Sequence, residues 1–354
     1  MSLYDSELYL EDVRYVAGLN LPWEKLQNKS ILLSGATGLI GSFLVDVLME
    51  KNIAGLNCEV YALGRNKEKA DARFSKYTND PHLVFIPYDV KRPFIRDDIG
   101  IVGYVLHLAS NTHPVQYATD PIGTITTNII GLQNMLDFAV EHHASRFAFA
   151  SSNEIYGENR GDTEFFDENY CGYINSNTLR AGYPESKRCG EALCQAYKTQ
   201  KGLDIVIPRF TRSYGPTMLM SDTKALSQFI KKGIAGEDIV LKSAGTQYYS
   251  YQYVADSVAG LLTVLLCGES GESYNIAEER SDIMLKDLAA IIAGINGKSV
   301  VFEVPDAVES AGYSKATKAR LDGHKLLALG WTPRYTICSG LERTIQILKD
   351  LKEL

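Results

Sequence analysis

Ser34-Gly35-Ala36-Thr37-Gly38-Leu39-Ile40-Gly41 is the stretch whose reading decides the fold. The apolar run Ile31-Leu33 precedes it. Leu39, Ile40, Phe43, Leu44, Val47 and Leu48 follow it at a spacing that lines one helical face. Between a strand and a helix, three glycines have separate uses. Gly35 permits the tight turn, Gly38 lets backbone approach a pyrophosphate, and Gly41 allows close packing of helix on strand. The helix start turns unpaired N–H groups and a partial positive charge toward phosphate. Gly35, Thr37, Gly38, Leu39, Ile40 and Gly41 are therefore expected to cradle a dinucleotide; a purely structural turn is the alternative.

Outward from this turn the pattern repeats. Apolar runs at Glu59-Leu63, Leu83-Ile86, Tyr104-Leu108, Arg146-Ala150 and Asp204-Pro208 alternate with helix-period segments. Near-continuous apolar strands separated by helices imply an α/β fold with a doubly wound parallel sheet covered on both faces. Residues 28–210, joined by about 251–280, are expected to form the dinucleotide-binding domain. Residues 211–250 and 281–354 read as a smaller, interleaved C-terminal lobe, helical near Lys224-Ile234 and Leu285-Ile295. Residues 1–27, with an amphipathic acidic segment at Glu7-Gly18, read as a lead-in packed on the domain edge. The polar stretch Gly157-Gly182 has no clear period, and a loop that long inside a compact domain tends to be functional.

Composition narrows the partners. Lys+Arg of 36 against Asp+Glu of 43 leaves a net charge of −7, so no basic surplus faces a nucleic-acid backbone. The longest mostly apolar stretch, Val258-Cys267, falls well short of the roughly 20 residues a bilayer requires, and the acidic start does not read as a secretion signal. Six scattered cysteines form no CxxC pair and the histidines no HxxxH pattern, so neither a disulfide framework nor a metal site is expected. A cytoplasmic enzyme, free of membrane and nucleic acid, is the expectation.

The second strand ends in Gly64-Arg65-Asn66, with no carboxylate for the ribose 2′-hydroxyl of NAD. Arg65 suits a 2′-phosphate, which favours NADP or use of both cofactors; otherwise it is a solvated loop arginine. Asp89-Val90 is placed toward the adenine edge, and Leu108, Ala109 and Ser110 pass beside the cofactor. Pro208, closing the sixth run, joins that set.

Tyr183-Pro184-Glu185-Ser186-Lys187 supplies the chemistry. Pro184 suits a first helical position, so Tyr183 and Lys187 lie one turn apart on one face. An unperturbed tyrosine titrates near 10, too high for an efficient base at neutral pH, and a neighbouring ammonium is expected to lower it. Ser152, at the end of the fifth run, bridges the substrate hydroxyl whose proton Tyr183 takes.

These residues, with Asn128 and Tyr156-Gly157, resemble the extended short-chain dehydrogenase/reductase family, the NAD-dependent epimerases/dehydratases. The likeness runs from about Ser30 to Leu329-Gly330-Trp331. It implies a Rossmann-type lobe holding NAD or NADP, a C-terminal lobe holding a nucleotide sugar, and transient oxidation at sugar C4. On that resemblance Tyr183 is the base, Lys187 holds the nicotinamide ribose, Ser152 polarises the C4 oxygen, and Asn128 supports them. It also implies a homodimer built on helices around Thr124-Glu141 and Glu185-Thr199.

Glu154 matches a glutamate of sugar-nucleotide 4,6-dehydratases and UDP-glucuronate decarboxylases, where it shuttles a proton; a supporting hydrogen-bond acceptor is the other reading. Asn153 replaces an acidic residue of one dehydratase group. The approach Glu168-Asn175, Arg180, Arg209, Tyr214-Gly215-Pro216 and Gln252-Tyr253-Val254 with Asp256 is similar to the decarboxylases. Three positions depart. Arg212 stands for the usual asparagine, Tyr249 for an arginine that clamps the diphosphate, and Thr217 for an arginine common in decarboxylases. Losing a bidentate phosphate ligand is not a neutral change. Asn128, Asn153, Arg180, Arg212, Tyr249 and Arg320 form the expected substrate set. Arg320 is either a phosphate contact or a surface charge. Decarboxylase chemistry ranks first, then 4,6-dehydration, then C4 epimerisation; a non-catalytic cofactor-binding protein is the alternative of another class.

Overall fold

The computed structural model describes residues 2–112, 114–303 and 317–353. The apolar runs become strands β1 (Ser30–Ser34), β2 (Glu59–Gly64), β3 (Leu83–Pro87), β4 (Tyr104–His107), β5 (Arg146–Phe149), β6 (Ser151–Ser152) and β7 (Ile205–Phe210). Later strands are β8 (Arg212–Tyr214), β9 (Ile239–Leu241), β10 (Tyr248–Tyr253), β11 (Ser273–Ile276), β12 (Asp282–Met284), β13 (Val300–Phe302) and β14 (Lys318–Ala319). The helices are α1 (Glu7–Ala17), α2 (Leu39–Ile53), α3 (Lys67–Arg73), α4 (Pro114–Thr119), α5 (Pro121–Glu141), α6 (Gly182–Lys201), α7 (Ala225–Ala235), α8 (Val254–Cys267) and α9 (Leu285–Ile295). The short helix His324–Leu327 and the terminal helix Ile337–Glu353 follow.

The main sheet runs β3-β2-β1-β4-β5-β7-β11, every pair parallel, with β6 joined to β7. All five residues of β1 are buried, as a strand covered on both faces requires. From β1 the chain builds outward to β3, then returns to lay β4 on the other side of β1. That reversal opens a crevice at the carboxyl ends of β1 and β4, where ligands of doubly wound sheets sit. The expected doubly wound fold is the fold observed.

Past β7 the chain passes through Thr211 straight into β8, which leaves the main sheet and pairs with β10. β10 is antiparallel to β12 and parallel to β14, while β9 and β13 make a separate pair. The Thr211 hydroxyl donates to the Ser250 carbonyl at 2.7 Å, pinning the crossing point. One buried apolar cluster runs from α2 and α8 into α7 and α9, so these segments share a core.

The lead-in is more deeply built in than an edge decoration. Tyr9, Val13 and Val16 of α1 are buried in the main core. Asp12, fully buried, accepts from the Tyr253 hydroxyl at 2.6 Å, the Tyr335 hydroxyl at 2.5 Å and Arg343 Nε at 2.6 Å. A buried carboxylate is tolerable when its oxygens are met by donors in this way. The long polar stretch ahead of α6 has no strand or long helix, only the isolated bridges Glu158–Tyr173 and Phe166–Leu321 and a short turn at Leu179–Ala181. Arg209 ties it to the sheet, donating to the Glu168 carbonyl at 2.7 Å and pairing with Glu191 at 2.7 Å.

Candidate active site

The glycine turn has the geometry its sequence requires. Gly35 sits at φ +76°, and a Cβ there would lie 2.8 Å from the Ala109 nitrogen. A Cβ on Gly41 would lie 2.3 Å from the Gly35 carbonyl. Gly38 is different: its Cβ position meets only the Gly35 oxygen, at 3.3 Å, and otherwise opens outward. No side chain caps α2, so its first N–H groups face the crevice end. This turn fits a dinucleotide pyrophosphate: Gly35 and Gly41 let strand, turn and helix close up, and Gly38 leaves the open side of the turn without a side chain beside the first N–H groups of α2.

The turn opens into a cleft of about 600 Å³, within the usual range for small-molecule sites. Gly35, Gly38, Leu39, Ile40 and Gly41 line one side with Leu108 and Ser110. Ser152, Asn153, Glu154, Tyr183 and Lys187 line the floor, and Arg212 and Tyr249 the far wall. Residues separated by about 200 positions in sequence thus face one space.

Other predicted residues stand elsewhere. Thr37 and Arg65 are outside the cleft lining, Arg65 exposed just beyond β2. Asp89 lies beyond the end of β3 and accepts from the Lys91 N–H, while Val90 is covered by α5 at Gly131. Ala109 packs against Gly35 rather than into the space. Pro208 is buried within β7, and the wall is made instead by Phe210 through Tyr214. Asn128 acts from behind: it accepts from the Ser110 hydroxyl at 2.7 Å and donates to Ser186 at 2.8 Å. That bridge joins the loop after β4 to α6 one turn from Tyr183. Arg320 is also away from the cleft. It pairs with Glu164, lies over Phe165 and Tyr248 at 4.1 and 4.5 Å from their ring centres, and does not line the cleft.

At the floor, Tyr183 is buried and stacked on Tyr117 with ring centres 4.9 Å apart. Glu154 pairs with Arg180 at 2.7 Å, and Arg180 lies over the outer face of Tyr117, 4.8 Å from its centre. The expected depression of the phenol by Lys187 is not what this arrangement produces. Burial and the Glu154 charge push the Tyr183 phenol well above its usual range; hydrogen bonds from Ser152 and Ser110 and the charge of Arg180 only partly oppose them. Lys187 donates to the Ala150 carbonyl at 2.7 Å and lies 6.0 Å from the Tyr183 ring centre. Burial pulls its ammonium down to about 7, so it is a weaker and more distant cation than the one-turn spacing suggested. His107, the last residue of β4, is held neutral by burial and by Lys187, its ring pulled down to about 3; its Nδ1 meets the Ser34 hydroxyl at 2.8 Å. It stiffens the turn and does not titrate near neutrality.

Sequence reading missed several wall residues. Tyr117, Thr112, Lys224, Ser243 and Gln247 line the cleft, yet each sits in a segment without a motif. Tyr117 had the best chance of detection, being an aromatic residue in the polar approach to α5, but nothing local says which ring it meets.

A family model described as NAD dependent epimerase/dehydratase family matches residues 31–277. UDP-glucuronic acid decarboxylase 1 of Xenopus tropicalis is 31% identical over 92% of this chain and 73% of its own length. UDP-glucuronic acid decarboxylase 5 of Arabidopsis thaliana is 32% identical over 89% of this chain and 87% of its own. Among solved structures, the dTDP-glucose 4,6-dehydratase DesIV of Streptomyces venezuelae, with NAD and TYD bound, matches with a TM-score of 0.77 at 24% identity. It covers 92% of this chain and 98% of that one. UDP-glucuronic acid 4-epimerase of Bacillus cereus, in complex with UDP-glucuronic acid and NAD, matches with a TM-score of 0.76 at 24% identity, over 91% and 99%. At such identities the structural matches show a shared fold.

Proposed function

The chain belongs to the NAD dependent epimerase/dehydratase family, and from that premise we propose that it decarboxylates a nucleotide-linked uronic acid, UDP-glucuronate first among them, by transient oxidation at C4. One observation carries the reading: Ser152, Glu154 and Tyr183 converge on the cleft into which the glycine turn opens. The decarboxylase relatives, matched along most of this chain, favour that branch over dehydration or epimerisation.

The glycine turn with Leu108 and Ser110 would hold the dinucleotide, and Lys187 its ribose. NAD or NADP, when bound there, would supply the hydride acceptor. Tyr183 takes the C4 hydroxyl proton while Ser152 orients that oxygen. Oxidation at C4 makes the sugar acid a β-keto acid, which releases carbon dioxide from C5. Glu154, fixed by Arg180, relays a solvent proton to that carbon. Tyr183 gives its proton back to the C4 oxygen as C4 would recover its hydride from the reduced dinucleotide, so the oxidation at C4 is undone. Burial of the floor excludes water from the phenol.

Incubation with UDP-, dTDP-, GDP- and CDP-sugars, followed by mass spectrometry, tests this. Carbon dioxide loss from UDP-glucuronate is expected. Water loss from a neutral hexose donor, or isomerisation alone, would move the assignment to the dehydratase or epimerase branch; no change in any donor would leave a cofactor-binding protein. Glu154→Gln is expected to lower turnover about 100-fold while reduced cofactor still accumulates; unchanged turnover would reject the proton-shuttle role.

The remaining assignments are part of the same proposal. Arg65, exposed at the end of β2, supports use of NADP alongside NAD, to be decided by titrating both. The main sheet's use of β1–β7 and β11 supports a cofactor domain at 28–210 plus about 251–280. The strands β8, β9 and β12–β14 support the substrate lobe at 211–250 and 281–354, with β10 straddling the boundary. α5 and α6 pack together and leave Ile122 and Ile130 exposed, which supports a homodimer through that face. No described helix is long and apolar enough to cross a membrane, and the free cysteines support a reducing, cytoplasmic setting.

A further inference from the structure

Arg212 opens β8, just where the chain leaves the main sheet, and lines the cleft. Its guanidinium lies flat on Tyr249 of β10, 3.5 Å from the ring centre. Tyr249 is buried and lines the same wall, so the ring forms a rigid shelf under the cation. The two are brought together by pairing of β8 with β10 and by the Thr211–Ser250 hydrogen bond, although 37 positions separate them in the chain. Among the described residues, Arg212 Nη1 is buried with no hydrogen-bond partner. A guanidinium N–H left unmet inside a wall is costly unless something else accepts from it. The other arginines around the floor have carboxylate partners, Arg180 with Glu154 and Arg209 with Glu191, although Arg180 Nε is itself buried without a hydrogen-bond partner; Arg212 has no such carboxylate among the described residues. A ring under the face of a guanidinium leaves its in-plane N–H donors at the edge, and at that edge Nη1 is the donor without an acceptor.

We infer that Arg212, braced by Tyr249, is the anion anchor of this cleft, donating to an oxyanion of the nucleotide sugar. The inference rests on the proposed nucleotide-sugar reading and assigns its charge recognition to this pair. Two oxyanions of such a donor share the required chemistry, the diphosphate and the sugar carboxylate.

Calorimetric titration of the NAD-loaded protein with UDP, UDP-glucose and UDP-glucuronate separates them. Arg212→Gln is expected to weaken binding about 10- to 100-fold, the range for a lost hydrogen bond to a charged group. An equal loss for all three ligands assigns the diphosphate, and a loss for UDP-glucuronate alone assigns the carboxylate; either supports the anchor. Arg212→Lys keeps the charge without the fork and is expected to recover only part of the affinity. Tyr249→Phe keeps the shelf and is expected to bind as wild type does, while Tyr249→Ala is expected to lose affinity with Arg212 in place. Unfolding midpoints and NAD affinity report whether each variant is folded. Should Arg212→Gln fail to fold, the Tyr249→Phe and Tyr249→Ala pair carries the test, and equal affinity in those two overturns the inference. Wild-type binding of all three ligands with Arg212→Gln unchanged overturns it alone. Binding of none of the three by the wild-type protein overturns the nucleotide-sugar reading and the anchor with it.

Discussion

The two sides of the cleft are made by different means. On the cofactor side the contacts are backbone: a glycine turn, a helix start, and the closely packed ends of β1 and β4. On the substrate side they are side chains, Arg212 on Tyr249 and Glu154 on Arg180, delivered by segments far apart in sequence. A backbone site tolerates little change, because an added Cβ at Gly35 or Gly41 collides with the fold itself. A side-chain wall can exchange its charges while the fold stands, since the strands beneath keep their pairing. That is why a chain with an intact glycine turn carries Arg212, Thr217 and Tyr249 where its resemblance leads one to expect other residues.

The sharpest way to break this contrast is Gly41→Val. With a Cβ directed at the Gly35 carbonyl, about 3 kcal/mol of stability should be lost and cofactor titration should go flat; retained NAD affinity in calorimetry would show that the turn is not closely packed. Next in size is Tyr183→Phe. Turnover should fall about 100- to 10,000-fold, the range for a lost general base, with NAD affinity preserved; stopped-flow absorbance of the reduced cofactor checks it.

A smaller effect follows from Lys187. The unfolded chain keeps that proton up to about pH 10, while the folded protein releases it at about 7. Between those values the unfolded state binds more protons, so stability rises with pH across the window. Lys187→Met should remove this rise. In urea titrations from pH 6.5 to 10, wild type should gain on the variant as pH increases; parallel profiles would contradict the assignment. Least of all is Arg320→Ala, which removes a pair with the exposed Glu164 and two ring contacts. It should lower stability by no more than about 1 kcal/mol and leave UDP-glucuronate affinity within error, sharpening the boundary of the substrate wall.

Much of the fold was legible because it rests on local patterns. Apolar runs such as Ile31-Leu33 and Tyr104-Leu108 announce buried parallel strands, and Tyr183-Pro184 announces a helix start. Helices predicted near Lys224-Ile234 and Leu285-Ile295 appear at Ala225–Ala235 and Leu285–Ile295. The charge state of the floor was not legible. One helical turn between Tyr183 and Lys187 correctly implies a shared face, yet the lysine donates to Ala150 and the phenol, buried, is raised by the charge of Glu154. Spacing reports which face a residue occupies; it does not report which carbonyl its tip reaches or how much solvent is excluded. Arg320 illustrates the same limit, because its partners Glu164 and Tyr248 come from two remote segments.

The sequence by itself determined the sheet and the glycine turn and pointed to the side chains proposed to react, since these depend on periodicity and on backbone freedom within a few residues. Only the tertiary structure decided which charges meet: Glu154 with Arg180, Arg212 with Tyr249, Asp12 with Arg343. Pairings of that kind are set by strand crossings and by burial, and electrostatic interaction depends on distance and dielectric, neither of which is written in the order of residues.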